Sequence, residues 1–285
     1  MSSGFGLSGN MFSILSQGGD TLSAFQQDLE RINLNAANFQ TTAFKSIIKQ
    51  STTNISGGID ISFSLDFSQG AIVSGGPLNA AIIGEGLFMI DEAKNQLSNN
   101  KLYTRSGEFK VTETSPKQFF LTDTSDRIVY GYRVNSDRTQ LSQTPERIDL
   151  SNNSDIGIDT DGTVVQGYKA RQLAIQQGLT ENLPQLTPLY KLALTTFQNN
   201  SGLKIREGNA YQPTNNSGRV TMTEMANIDN KKLGTVRGQS IEASNVVISD
   251  LNVESIILQR NFTAVLNNNI SSVSKLFNST LQSLF

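Results

Sequence analysis

At 285 residues the chain is long enough for one large domain or two modest ones. It holds no Cys, His or Trp, which excludes a disulfide framework, a thiolate nucleophile and a zinc–thiolate site and removes the usual near-neutral general base; enzymes built on carboxylates, Lys or Ser–Lys pairs stay open to it. With 23 Lys and Arg against 25 Asp and Glu it is no basic nucleic-acid binder, and no apolar run approaches the ~18 residues of a membrane span.

Residues 1–19 are rich in Gly and Ser, and a helical start at Met11 to Leu15 is interrupted by Gly18-Gly19. Asp20 is placed to cap a helix running to about Phe39, roughly 30 Å long. Its apolar residues Leu22, Phe25, Leu29, Ile32, Ala36 and Phe39 step 3, 4, 3, 4, 3 and hold one face. No Lys or Arg precedes Arg31, so the positively charged start of a cleaved secretory signal is not expected.

From Ile59 the period changes to two: Ile59, Ile61, Phe63, Leu65 and Phe67 alternate with polar residues, the pattern of a half-buried strand. Gly70 and Gly75-Gly76-Pro77 mark a loop and a domain edge. Residues 76–235 then read as β-rich, with turns at Gly84-Glu85-Gly86, Asn99-Asn100, Ser106-Gly107, Asp161-Gly162, Asn199 to Gly202 and Asn215 to Gly218. Short strands are expected at Leu87 to Ile90, Phe109 to Val111, Ile128 to Val134, Ile156 to Ile158 and Leu192 to Phe197, and a short helix at Ala170 to Leu179.

A second helix is expected from Ser249 or Asp250, either able to cap, to near Leu284, spanning roughly 50 Å. Its stripe is Leu258, Phe262, Leu266, Ile270, Val273, Phe277, Leu281 and Leu284. Helices of globular domains average ~11–12 residues, so this length favours an assembly role. Both terminal helices carry Asn-, Ser- and Thr-rich polar faces, which favour helix weakly, so they are expected to depend on packing. The expected fold is α+β: residues 1–75 and 236–285 form a coiled-coil-like assembly core, and 76–235 form a central antiparallel β-domain.

No constellation supports a named reaction. Gly84-Glu85-Gly86 lacks the third glycine of a dinucleotide loop and reads as a hairpin turn. Asp159-Thr160-Asp161-Gly162 begins like a calcium loop, but Gly157 and Tyr168 fall where carboxylates belong, so it reads as a β-turn. Catalytic, cofactor-binding and metal residues are therefore expected to be none, and the chain is read as no enzyme.

Several blocks carry more than composition does. In Asn33 to Lys45, residues Asn35, Ala37, Asn38, Thr41, Phe44 and Lys45 fit the pattern N-N-[LI]-A-N-x-x-T-x-G-[FY]-[KR], with Ala43 in place of the usual Gly and Leu34 where an Asn is common. This resembles the N-terminal signature of bacterial flagellar rod and hook proteins. Ile83 to Phe88, with Gly84, Gly86 and Phe88, is similar to the family's I-x-G-x-G-F-F strand, and Leu102 to Phe109 to its Y-T-R-[DN]-G-x-F. Ala210-Tyr211 to Ser217-Gly218, then Gly238 to Val246 with Ser244 and Asn245, then Gln259 to Phe262 complete six blocks in family order.

The resemblance implies a structural subunit of a helical tube, its terminal helices stacked in the inner core and its β-domain outward. It implies self as partner, with adjacent axial proteins, the flagellar type III export apparatus and ring or bushing proteins around the rod, and neither nucleic acid nor a small-molecule substrate. Phe44 with Ile48 is a candidate export motif, with a core role equally open. Rod is favoured over a compact hook, which places the protein in the periplasmic basal body or, as hook, outside the cell. The reading from another class is a carbohydrate- or surface-binding β-protein, which would need paired carboxylates or exposed aromatics in a cleft.

Overall fold

The computed structural model describes residues 22–53, 59–91, 101–226 and 233–282. The expectations at Met11 to Leu15, Gly18-Gly19, Asp20, Asn99-Asn100 and Leu284 lie outside these residues, as do the side chains of Ile59, Ile61 and Leu281. The chain divides into two units.

The first unit contains helix α1, described over 22–37, strands β1 (Ile47–Thr53) and β2 (Ile59–Leu65), and a long C-terminal helix. α1 is favoured by Ala24, Ala36 and Ala37 and by the Asp28–Arg31 pair one turn apart at 2.8 Å. It stops where the Asn38 amide bonds back to the Leu34 carbonyl at 2.8 Å, taking up one of the carbonyls a helix end leaves free. β1 and β2 pair as a two-stranded sheet.

The second unit holds the remaining strands in chain order: β3 (Ile72–Ser74), β4 (Ala80–Ile83), β5 (Leu87–Asp91), β6 (Leu102–Thr104), β7 (Phe109–Ser115), β8 (Gln118–Asp123), β9 (Ile128–Arg133), β10 (Glu146–Arg147), β11 (Ile156–Ile158) and β12 (Thr163–Gln166). Helix α2 (Tyr168–Gln176) follows, then β13 (Thr187–Phe197), β14 (Lys204–Arg206), β15 (Ala210–Gln212), β16 (Val220–Met225), β17 (Thr235–Gly238) and β18 (Ser240–Glu242). Helix α3 (Ile248–Gln282) returns the chain to the first unit.

Among the described residues the main sheet runs β11-β12-β13-β9-β5-β6-β15-β14, with β7-β8 and β10 joined through β9 and β16 along β13. The pairings whose register is described are antiparallel; β3 pairs with β18 and β4 with β17. Phe88, Ile90, Leu121, Val129, Ile148, Leu192 and Leu194 are buried in its core. Edge-to-face contacts join Phe88 to Phe109 at 5.2 Å and Tyr103 to Phe197 at 4.8 Å.

Residues 65–75 and 236–245, grouped by the sequence with the terminal helices, belong to the β unit because β3 and β4 find their partners in β18 and β17. Gly75-Gly76-Pro77 is thus no domain edge; the Gly75 N–H donates to the Gln239 carbonyl at 2.8 Å. α2 begins two residues before the expected Ala170 and ends before Leu179. The Asp155 carboxylate, distant in sequence, accepts from the Lys169 and Ala170 N–H groups at 2.6 and 3.1 Å and fixes its start. Ser249 and Asp250 sit inside the first turn of α3 rather than at its cap, where the Asp250 charge suits the positive helix end.

Candidate functional site

Some of the signature residues take part in two polar networks. In the helical unit, Asn35 is buried and its side-chain amide takes both backbone groups of Ile47: Nδ2 donates to the Ile47 carbonyl at 2.8 Å and Oδ1 accepts its N–H at 2.9 Å. The amide thus stands in for a neighbouring strand. One helical turn earlier, Arg31 donates to Asp28, to the Ile47 carbonyl at 3.2 Å and to Glu254 of α3 at 2.7 Å, and Lys49 of β1 reaches Asp28 at 2.8 Å. Burial acts to raise the Asp28 pKa, but Lys49 and Arg31 outweigh it and the carboxyl lies below its ordinary value.

In the β unit, Lys45 and Glu242 are fully buried and joined at 2.7 Å. The Lys45 ammonium also donates to the Ser68 carbonyl at 2.6 Å. Glu242 accepts from the Gly70 N–H at 2.8 Å and from Arg105 Nε at 2.6 Å. Arg105 spends its other donors on the carbonyls of Gly86 and Ile82, at 2.7 and 2.9 Å, and on Gln69. Burial pulls the Lys45 pKa below its ordinary value, against the opposing pull of Glu242.

Further bonds draw the same segments together: the Ala43 N–H donates to the Glu242 carbonyl at 2.7 Å, and the Asn245 side-chain amide accepts from the Ser46 N–H at 2.7 Å and donates to the Asp66 carbonyl at 2.8 Å. Asn209 donates to the Thr42 carbonyl at 2.8 Å, and Tyr211, fully buried, packs on Phe67 at 5.3 Å. With every ionic atom engaged inside the fold, the cluster acts as a clamp that ties residues 42–46 and 240–245 to the sheet.

The structure distributes the expected residues unevenly. Lys45, Phe44, Phe88 and Asn245 join the clamp or the core beside it. Gly86 contributes its carbonyl, at φ +132, and Gly84 makes its turn at φ +94. Thr41 accepts the Phe44 N–H at 3.1 Å through its carbonyl, and Asn38 ends α1; Ser244 is half-buried. Phe44 takes a core position, whereas Ile48 on β1 is exposed. Ala43, at the usual glycine position, adopts φ +54, so the left-handed backbone is kept without the glycine. Arg105 and Glu242 were missed as site residues although both lie inside recognised blocks; their signal was a charge fixed within otherwise small and polar motifs.

On the helices, Ile32 is buried and Phe25 meets Phe262 edge-to-face at 5.5 Å. Leu258, Phe262 and Val273 are half-buried, while Leu22, Leu29, Phe39, Leu266, Ile270 and Phe277 are exposed. The Asp159–Gly162 turn is held by Arg138, which pairs with Asp159 at 2.5 Å and with Asp161 at 2.9 Å, and by Lys191 at 3.4 Å from Asp161, so two cations balance the two carboxylates. No group of three or more metal-ligating side chains occurs among the described residues.

No family model matches the chain. Among curated proteins it is similar to the flagellar hook protein FlgE of two Helicobacter pylori strains, 31% identical over 111 residues, which are 39% of this chain and 13% of those proteins. It is also similar to the flagellar hook protein FlgE of Escherichia coli K12, 33% identical over 105 residues, 37% of this chain and 22% of that protein. These homologues support a flagellar rod/hook axial protein family. The alignments span less than a quarter of the hook proteins' own length, so the similarity reaches a segment of those proteins and not the whole.

Proposed function

We propose that this chain is a structural subunit of a flagellar hook-type axial structure, built by self-association of many copies. The observation that carries this reading is the 31–33% identity to hook proteins over 105–111 residues. It is supported by the exposed apolar residues of α1 and α3, which an isolated chain leaves in water. The sequence favoured rod over hook; the relatives reported are hook proteins, and hook becomes the preferred reading.

In this proposal α1 and α3 form a coiled-coil-like assembly core. Leu22, Phe25, Leu29, Ile32 and Phe39 act with Leu258, Phe262, Leu266, Ile270, Val273 and Phe277, some within one chain and the exposed ones between copies. Burial at ~25 cal/mol per Å² drives association, offset by the entropy of ordering the termini. The role is mechanical: the subunits transmit torque and make or break no covalent bond. Neighbouring axial proteins cap the polymer, and subunits leave through the type III export apparatus. A Phe44–Ile48 export motif would be read before folding, since Phe44 is buried afterwards.

Immunogold labelling of isolated flagella with antibody to the full chain tests this. Label along the hook is the expected result. Label confined to the basal body makes the chain a rod subunit, and label on neither overturns the axial reading.

A further inference from the structure

Two of the recognised asparagines hold the two sides of one peptide link, each from inside its own unit. The division of the chain falls between Ser46, in the β unit, and Ile47, in the helical unit. On the β side the Ser46 N–H donates to Asn245 Oδ1 at 2.7 Å, and the Ser46 carbonyl accepts the Asp66 N–H at 2.9 Å. Asn245 Nδ2 donates in turn to the Asp66 carbonyl at 2.8 Å. One side-chain amide thus closes a ring with Ser46 and Asp66. On the helical side Asn35 holds the Ile47 N–H at 2.9 Å and the Ile47 carbonyl at 2.8 Å.

The Ser46 carbonyl and the Ile47 N–H belong to the same peptide group. That group is planar and trans, so its C=O and N–H point to opposite edges. One edge is held by Asp66 and the other by Asn35, and no soft torsion lies between the two hydrogen bonds. A movement that releases one edge therefore displaces the other, and hydrogen bonds weaken steeply as they bend. Asn245 steadies the first edge because it fixes both Ser46 and Asp66. Asp66 lies just past the boundary between Ser64 and Leu65, and Asn245 is the last residue before the boundary at Val246. Three passages of the chain from one unit to the other are tied into this ring.

We propose that the Ser46–Ile47 peptide couples the two units energetically, with Asn245 and Asn35 as its positioning residues. Loosening either grip weakens the bond that the other holds. The coupling is reciprocal, because a free energy shared by two sites is the same read from either one. It goes beyond the axial reading and does not depend on it.

Hydrogen exchange at single amides of the full chain tests this across the boundary. Asn245→Ala removes no bond of the helical unit, yet the Ile47 amide is expected to exchange roughly fivefold faster, the low end for coupled sites. Asn35→Ala removes no bond of the β unit, yet the Asp66 amide is expected to speed up by about the same factor. Gly178→Ala, beyond α2 in the β unit, is expected to leave the Ile47 amide unchanged. Acceleration confined to each variant's own unit overturns the coupling, as does an Ile47 amide that speeds up equally in Gly178→Ala. Asn35→Ala leaves every bond of the β unit in place, so its Asp66 amide decides the matter even where Asn245→Ala does not fold.

Discussion

Lys45 and Glu242, 197 positions apart in the chain, form an ion pair of 2.7 Å with both side chains fully buried. Such a pair sits in a low-dielectric interior, where removing one partner strands the other. Glu242 also neutralises Arg105, so Glu242→Gln leaves two buried cations facing a neutral amide. The expected loss is about 3–5 kcal/mol. Lys45→Met leaves the Arg105–Glu242 pair intact and is expected to cost less. Urea unfolding of the three proteins gives the order; equal midpoints for Glu242→Gln and the unmodified chain would show that the pair carries no share of stability.

Gly107, inside the Leu102–Phe109 block, packs against the backbone of β4. The Ala80 N–H donates to the Gly107 carbonyl at 2.9 Å, and a Cβ at Gly107 would lie 1.5 Å from the Ala80 carbonyl oxygen. No rotamer change relieves a clash with backbone, so Gly107→Ala is expected to destabilise the β unit by about 3 kcal/mol, the upper end of the usual cost of overpacking. Gly178 has φ +83 but open space around it, so Gly178→Ala meets only the left-handed backbone cost of about 1–2 kcal/mol. Thermal melts that rank the two variants the other way contradict this packing.

Asn35 separates two roles that a single amide plays. In Asn35→Ala the Ile47 N–H loses its acceptor, while the Ile47 carbonyl keeps Arg31 at 3.2 Å. The Ile47 N–H is part-buried, so stranding it is expected to cost about 1 kcal/mol, the low end for a buried donor. Asn35→Asp retains the acceptor and places its charge in the reach of Arg31. Hydrogen exchange at the Ile47 amide is therefore expected to accelerate strongly in Asn35→Ala and little in Asn35→Asp. Equal acceleration in both would mean that the amide donor, not the acceptor, holds β1 in place.

Much of this architecture is legible in the sequence, and the failures have causes. The strands around Leu87, Phe109 and Ile128 and both terminal helices follow from period and turn residues. β13 is longer than expected because it is buried from Tyr190 to Phe197 on both faces, which erases the alternation that marks a half-buried strand. On α3 the four-residue steps from Leu258 to Ile270 each overshoot a full turn by about 40°. The apparent stripe thus winds away from the Phe25–Phe262 contact, and Val265 and Asn269 take the half-buried positions that Leu266 and Ile270 were expected to fill. The clamp was only half visible: Lys45 and Asn245 stood out by resemblance, but Glu242 meets Lys45 and Arg105 only through long-range pairing of β3 with β18 and β4 with β17.

Acid should loosen the β unit through Asp91 and Asp161. Burial acts to raise the Asp91 pKa, but hydrogen bonds from Arg147, Tyr130 and Lys101 outweigh it and hold the carboxyl below 3.8. Burial is likewise outweighed at Asp161 by hydrogen bonding to Thr163 and Arg138. As pH falls below 3.8 the unfolded chain takes up protons before the folded one, so unfolding gains. The stabilisation is complete above about pH 5 and drains away until the folded-state values are passed. Asp91→Asn removes one of these sites and leaves Arg147 and Lys101 less well matched. It is expected to unfold at lower urea than the unmodified chain at pH 7, and to lose less between pH 5 and pH 2.5. Parallel losses in the two proteins over that interval would assign the acid sensitivity to other carboxylates.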